Sequence, residues 1–86
     1  MKIRSIIVGR SPGADIQIDD EYASPRHCEI YQDANRHWWV ADLSSTNGTQ
    51  VRRGGGTLKV QPLCLLRQGD VIVVGRTALP AWDVTT

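Results

Sequence analysis

The 86-residue chain has the length of one small domain, so its core must be compact. Ten Lys and Arg against nine Asp and Glu leave a formal charge of +1. That balance excludes a general polyanion binder, which needs many cations on one face, and any anion recognition must be local. Nucleic acid is therefore not an expected partner.

Lys2 and Arg4 are followed only by Ile6-Ile7-Val8, which is neither a signal peptide nor a membrane span. A cytoplasmic location without membrane contact is expected. Cys28 and Cys64 lie far apart and form no CxxC or metal-ligand spacing. Two buried free thiols are expected in preference to a disulfide, with no metal and no cofactor. Phe is absent, so the core rests mainly on Val, Ile and Leu, which favour strands.

Apolar residues alternate or cluster over a few positions and are then interrupted by Gly, Pro, Asn or Asp, the all-β pattern. In chain order the predicted strands are Lys2–Val8, Asp15–Asp19, Cys28–Gln32, Trp38–Leu43, Gln50–Arg52, Leu58–Val60, Val71–Val74 and Ala81–Val84. No helix is predicted. Ser11-Pro12-Gly13, Asp33-Ala34-Asn35 and Gln68-Gly69-Asp70 read as turns. Arg52-Arg53-Gly54-Gly55-Gly56 reads as a mobile loop rather than a phosphate cradle, since no Lys-Ser/Thr and helix follow. Period-2 alternation places Cys28 and Ile30 on one face of their strand, and Trp38 and Val40 on the core face of theirs. Trp39 is then the aromatic expected to be partly exposed. Eight short strands without linker or repeat predict one unit, 1–86, a sandwich with its loops gathered at the ends.

Three loops carry the chemistry. Arg10, after a strand ending at Gly9, is a permanently charged fork suited to phosphate oxygens, although a lone Gly-Arg is usually an ordinary surface pair. Ser24, in Ser24-Pro25-Arg26-His27, can offer both its hydroxyl and its backbone N–H to a phosphate; its bland reading is a turn-forming Ser. His27 could be a general base for Ser24, making a hydrolase. No Gly-x-Ser-x-Gly elbow and no following helix support that, and a structural His tying the loop together is the better reading. Asn47-Gly48 is a hairpin signal, flanked by Ser44-Ser45-Thr46 and Thr49. An Asn side chain there can accept from a peptide N–H and donate to a peptide C=O.

Taken together, Gly9-Arg10, Ser24-Pro25-Arg26-His27 and Asp42-Leu43-Ser44-Ser45-Thr46-Asn47-Gly48-Thr49 resemble the motifs of forkhead-associated (FHA) domains. Gly69-Asp70-Val71-Ile72 is similar to the segment that opens a late strand in that family. The resemblance covers nearly the whole chain. It implies an antiparallel β-sandwich with recognition loops at one end, and a non-catalytic module that binds phosphothreonine peptides in Ser/Thr kinase signalling.

Carried over by residue, it implies that Arg10 and Ser24 contact the phosphate. Thr46 would approach the phosphothreonine and Asn47 would hold the peptide backbone. Arg26 and Arg52 would be secondary contacts, and Gly9, His27 and Gly48 architectural. The expected partner is a Thr-phosphorylated protein, either a Ser/Thr kinase or its substrate. Pro25 departs from the family's more usual basic or polar residue and brings neither charge nor N–H. The alternative is an FHA-type scaffold or self-association domain that binds through a sheet face and ignores phosphate. The chain's short ends are consistent with a module excised from a longer protein.

Overall fold

The structure, a computed structural model, describes residues 1–85; residue 86, the last of the expected unit, lies outside the described residues. Its strands are β1 (Lys2–Gly9), β2 (Ile16–Gln17), β3 (Cys28–Asp33), β4 (Trp38–Asp42), β5 (Thr49–Arg53), β6 (Gly56–Lys59), β7 (Leu63–Leu65), β8 (Val71–Val74) and β9 (Thr77–Pro80). A short helix, α1 (Ala81–Thr85), follows. The strands form one sheet of order β2-β1-β3-β4-β7 and another of order β6-β5-β8-β9. Val8, Ile30 and Val40 of the first sheet and Val51, Ile72 and Val74 of the second are fully buried in one core. The all-β sandwich is borne out.

Period-2 alternation explains the inner faces. Cys28, Ile30 and Val40 point inward, and Trp38 packs against them from the rim. Both cysteines are free, Cys28 buried and Cys64 half-buried. Trp39 is partly buried and donates its indole N–H to Asp33, whereas Trp82, at 54% exposure, is the more open aromatic.

Several local expectations give way to tertiary context. Residues Ala81–Thr85 form α1, not a strand. A four-residue alternation cannot separate the two, and Pro80 before a good helix former followed by Asp83 in the first turn is a helix start. Strand β7 went unpredicted because a three-residue apolar run after Pro62 carries no alternation signal. Strand β9 ends in Pro80, which only an edge strand tolerates, and β9 is an edge. Strands β1 and β2 pair in parallel, so the sandwich is not purely antiparallel. Gly54-Gly55 closes a tight β5–β6 hairpin with Arg53 opposite Gly56, instead of forming a loose loop. Asn47-Gly48 is not a hairpin either: β4 and β5 lie in different sheets, so residues 43–48 carry the chain across the sandwich.

Register decides which loops meet. Val8 pairs with Cys28 and Cys28 with Asp42, while Thr49 pairs with Val74 and Val74 with Thr77. The segments leaving these residues (10–15, 18–27, 43–48 and the Gly75-Arg76 turn) therefore share one pole. The β3–β4 turn, the β7–β8 segment and α1 occupy the other.

A buried ion pair joins the sheets near that second pole. Arg53 on β5 donates from Nε (2.9 Å) and Nη2 (2.7 Å) to the two oxygens of Asp70, and from Nη2 to the Leu65 carbonyl on β7 (2.8 Å). Asp70 also accepts the Arg67 N–H at 2.8 Å. The Arg53 hydrogen bonds hold the Asp70 carboxyl below the usual carboxylate range, against the opposing effect of burial. Its contribution is thus present above the unfolded carboxylate pKa of about 4 and fades as pH falls through the lower folded value. Arg53→Ala strands a buried carboxylate and should cost about 3 kcal/mol at pH 7. Urea unfolding of both proteins at neutral pH and near pH 3 should show this gap narrowing in acid; a constant gap means the pair contributes packing only.

Candidate functional site

The end of β1 approaches the Ser24–Pro25 backbone so closely that only glycine fits. A Cβ on Gly9 would lie 2.1 Å from the Pro25 carbonyl oxygen. The contact lets Arg10 N–H donate to Ser24 O (3.0 Å) and Ser11 N–H to Pro25 O (3.1 Å). Pro25, with no N–H of its own to satisfy, supplies the acceptor for this splice.

His27 fixes the remaining loops. Its Nδ1 accepts the Ser24 backbone N–H (3.0 Å), so the ring proton sits on Nε2, which donates to Gly48 O (2.8 Å). The ring is fully buried. Gly48 has φ +79°, a left-handed conformation that favours glycine. This geometry corrects one expectation: the Ser24 N–H is consumed by His27 and is not free for a ligand.

What stays free is on the exposed rim. Arg10 donates from Nε to Ala23 O (3.0 Å), which aims the guanidinium beside Ser24 and leaves both Nη groups without a partner in the described residues. Ser24 Oγ accepts the Thr46 N–H (3.0 Å), so its own O–H remains available. Asn47 donates from Nδ2 to Tyr22 O (2.9 Å), keeping its Oδ1 and second N–H open. Arg10, Thr46 and Asn47 are exposed and Ser24 half-buried, so three distant segments deliver polar groups to one surface. Arg26 is exposed on the same loop, but its charge is also felt at Glu29 on β3, outside the cluster. Arg52 is not brought there. It pairs with Val71 toward the opposite pole, about 10 Å along β5 from Thr49.

Two supports were not foreseen. Asp42 accepts from the Ser45 N–H and hydroxyl and from Thr49 Oγ1 (2.7 Å), shaping the crossover that presents Thr46 and Asn47. Burial raises the Asp42 pKa, yet these hydrogen bonds outweigh it and leave the carboxyl below its ordinary value. Asp20 accepts from the Tyr22 N–H (2.8 Å), the Arg76 N–H (2.7 Å) and Thr77 Oγ1 (2.8 Å), clamping the Ser24 loop to the β8–β9 turn. Those bonds, the Tyr22 N–H first, hold its pKa down. Arg76 then lies over the Tyr22 ring, 4.2 Å from its centroid, beside the carbonyl that Asn47 binds. The Asp20 contacts span more than fifty residues, and no local signal announces them. The Asp42 motif was visible in Asp-Leu-x-Ser, but its structural task was not.

Comparison with known proteins identifies the family. The FHA domain family model matches residues 6–75, and the chain belongs to the FHA family. It is 33% identical over 75 residues to the FHA domain-containing protein FhaB of Mycobacterium tuberculosis, covering 86% of this chain and 44% of FhaB. The chain therefore spans less than half the length of that relative. An FHA domain solved in the context of phosphothreonine-dependent interactions superposes with a TM-score of 0.73 at 35% identity, covering 91% of this chain and 75% of that one. The N-terminal FHA domain of Saccharomyces cerevisiae Rad53p, solved with a phosphothreonine peptide, gives 0.70 at 30% identity, covering 84% and 56%.

The loop scaffold can be tested apart from any ligand. Gly9→Ala must push Pro25 away and should cost about 1–3 kcal/mol. His27→Ala orphans the Ser24 N–H and the Gly48 carbonyl and should cost on the order of 1–3 kcal/mol. Urea midpoints, with amide shifts of Arg10, Ser24 and Thr46, report both effects. Unchanged shifts in His27→Ala would show that the imidazole does not tie these loops together.

Proposed function

We propose that this domain recognises a phosphothreonine peptide through Arg10, Ser24, Thr46 and Asn47, with Arg26 as a secondary contact. Its partner is then a Thr-phosphorylated protein, a Ser/Thr kinase or a kinase substrate, met in the cytoplasm. The observation that carries the reading is the pre-positioned pair of Arg10 and Ser24: a guanidinium with both Nη groups open, beside a hydroxyl with a proton to donate. A phosphothreonine brings about −1.5 to −2 charges and three acceptor oxygens, which match those donors. The open Oδ1 and N–H of Asn47 suit the backbone of an extended peptide.

The same geometry speaks against catalysis by Ser24 and His27. Nδ1 of His27 is occupied by the Ser24 backbone rather than its hydroxyl, and Nε2 is spent on Gly48. No ring nitrogen remains to act as a base. Cys28 is no nucleophile, because burial first, then the nearby Asp42 charge, pushes its thiol up to about 12. A non-catalytic adaptor is the reading these facts support.

The test is a titration of matched phosphothreonine, phosphoserine and unphosphorylated peptides at two salt concentrations. Arg10→Ala should weaken phosphopeptide binding by about tenfold or more without unfolding, since charge-assisted bonds contribute roughly 1.5–3 kcal/mol each. Arg10→Lys should rescue only in part, because an ammonium presents no planar fork. Burial of the threonine methyl near Thr46 and Asn47, worth about 0.8 kcal/mol, adds to the restricted χ1 of a β-branched residue and should favour phosphothreonine by about tenfold. Equal affinity for both phosphopeptides would reduce the site to a cationic patch. Undiminished partner binding by Arg10→Ala would instead point to the sheet face that carries Tyr31 and Trp39.

A further inference from the structure

The pole opposite the recognition loops holds a concavity of about 230 Å³ between the β3–β4 turn, the β7–β8 segment and α1. Trp38, Leu65, Ala81 and Trp82 supply its apolar lining. Its volume lies below the roughly 300 Å³ at which small-molecule pockets begin, and it has room for one large side chain. Arg36 and Arg67 line the rim, both exposed. Neither takes part in the ion pairs found among the described residues, which are Lys2–Glu29, His37–Asp33 and Arg53–Asp70. Arg4 is outside this lining and lies over the Trp38 ring, 5.6 Å from its centroid. The nearby Asp33 carboxylate is occupied by the Asn35 and His37 N–H groups and the Trp39 indole, which leaves Asp83 as the one carboxylate of α1.

Arg36 has φ +67°, a conformation that glycine or asparagine adopts more cheaply. Asn35 stands one position earlier, so the turn places its costly residue at the left-handed site. The Asp33 carboxylate, through Asn35 and His37, holds the turn in that form. The turn itself sets this conformation: Arg36 N–H donates to Asp33 O and Asp33 N–H to His37 O (both 2.9 Å), a three-residue hairpin loop whose last residue is left-handed.

We propose that this cleft is a second docking site, which receives one large apolar side chain of an acidic peptide segment in a partner protein. The apolar lining supplies the anchor, and Arg36 and Arg67 supply charge complementarity to carboxylates on either side of it. Because the cleft and the phosphopeptide loops lie at opposite poles, the two sites are independent, and one domain can hold a phosphorylated partner and an acidic segment together.

The probe is an array of acetylated pentapeptides with one Leu, Phe or Trp flanked by Asp and Glu, together with Asn and Gln counterparts, titrated into the labelled chain up to about 1 mM. Acidic members should shift the amides of Arg36–Trp38, Leu65–Gln68 and Ala81–Thr85 and leave Arg10, Ser24 and Asn47 unmoved. The Arg36→Gln, Arg67→Gln double variant should lose about tenfold or more in affinity, with phosphopeptide binding unchanged. Arg36→Gly separates function from folding: it should unfold at an equal or higher temperature while binding the acidic peptides less well. Four outcomes overturn the proposal. These are no binding by any member, equal binding of acidic and amide peptides, full binding by the double variant, and concentration-dependent shifts of the same residues without peptide, which would make the occupant a second copy of this chain. Because the phosphopeptide titration is run on the same samples, its failure and the failure of this site are told apart.

Discussion

Each polar group of His27 is committed to a different segment. Its N–H donates to Val8 O (2.8 Å), its carbonyl accepts the Leu43 N–H (2.9 Å), and its ring spans from the Ser24 N–H to Gly48 O. One residue thereby ties the end of β1, the Ser24 loop, the exit of β4 and the entry to β5. The ring is among the largest fully buried side chains, in a core built mainly of Val and Ile. A buried imidazole with both nitrogens satisfied avoids the desolvation cost that an unpaired polar group would incur. The position of Ser24 and of the crossover carrying Thr46 and Asn47 follows from it.

At both poles the chain is held by carboxylates that gather N–H and O–H groups. Asp20, Asp33 and Asp42 each accept several hydrogen bonds, Asp33 from its own turn and the Trp39 indole, and Asp70 does the same for Arg53 and Arg67 between the sheets. In every case the ionised form is favoured, so this scaffold is a neutral-pH structure that weakens as acid protonates it. Arg53 has a further effect. By donating to the Leu65 carbonyl it occupies an outward backbone acceptor of β7, an edge strand with exposed Leu63 and Leu65. Unpaired edges of that kind invite association, and a guanidinium bonded to the edge makes strand addition less favourable.

Rigidity of the loops bears on binding energetics. Arg10, Ser24 and Asn47 are each restrained by one internal hydrogen bond while their remaining donors and acceptors face outward. Less side-chain freedom is left to lose when a ligand docks, which lowers the entropic cost of any contact these residues make. Arg76, stacked on Tyr22 and fixed by Asp20, extends this ordered surface beyond the three loops that the motifs announce.

The sequence alone determined the fold class, the family and the identity of most rim residues, because these rest on local signals. Alternation of Cys28, Ile30, Trp38 and Val40 marks inward faces, and Gly9-Arg10, Ser24-x-x-His27 and Asn47-Gly48-Thr49 are short, spaced motifs. Only the tertiary structure decided how those motifs are used. It spent the Ser24 N–H on His27, turned Asn47-Gly48 from a hairpin into a crossover, sent Arg52 away from the site and made a helix of Ala81–Thr85. It also joined Asp20 to Thr77 and Arg53 to Asp70. The physical reason is that periodicity and turn chemistry act over a few residues, whereas hydrogen-bond partners across a sandwich are chosen by strand register and sheet assignment, which depend on the whole chain at once.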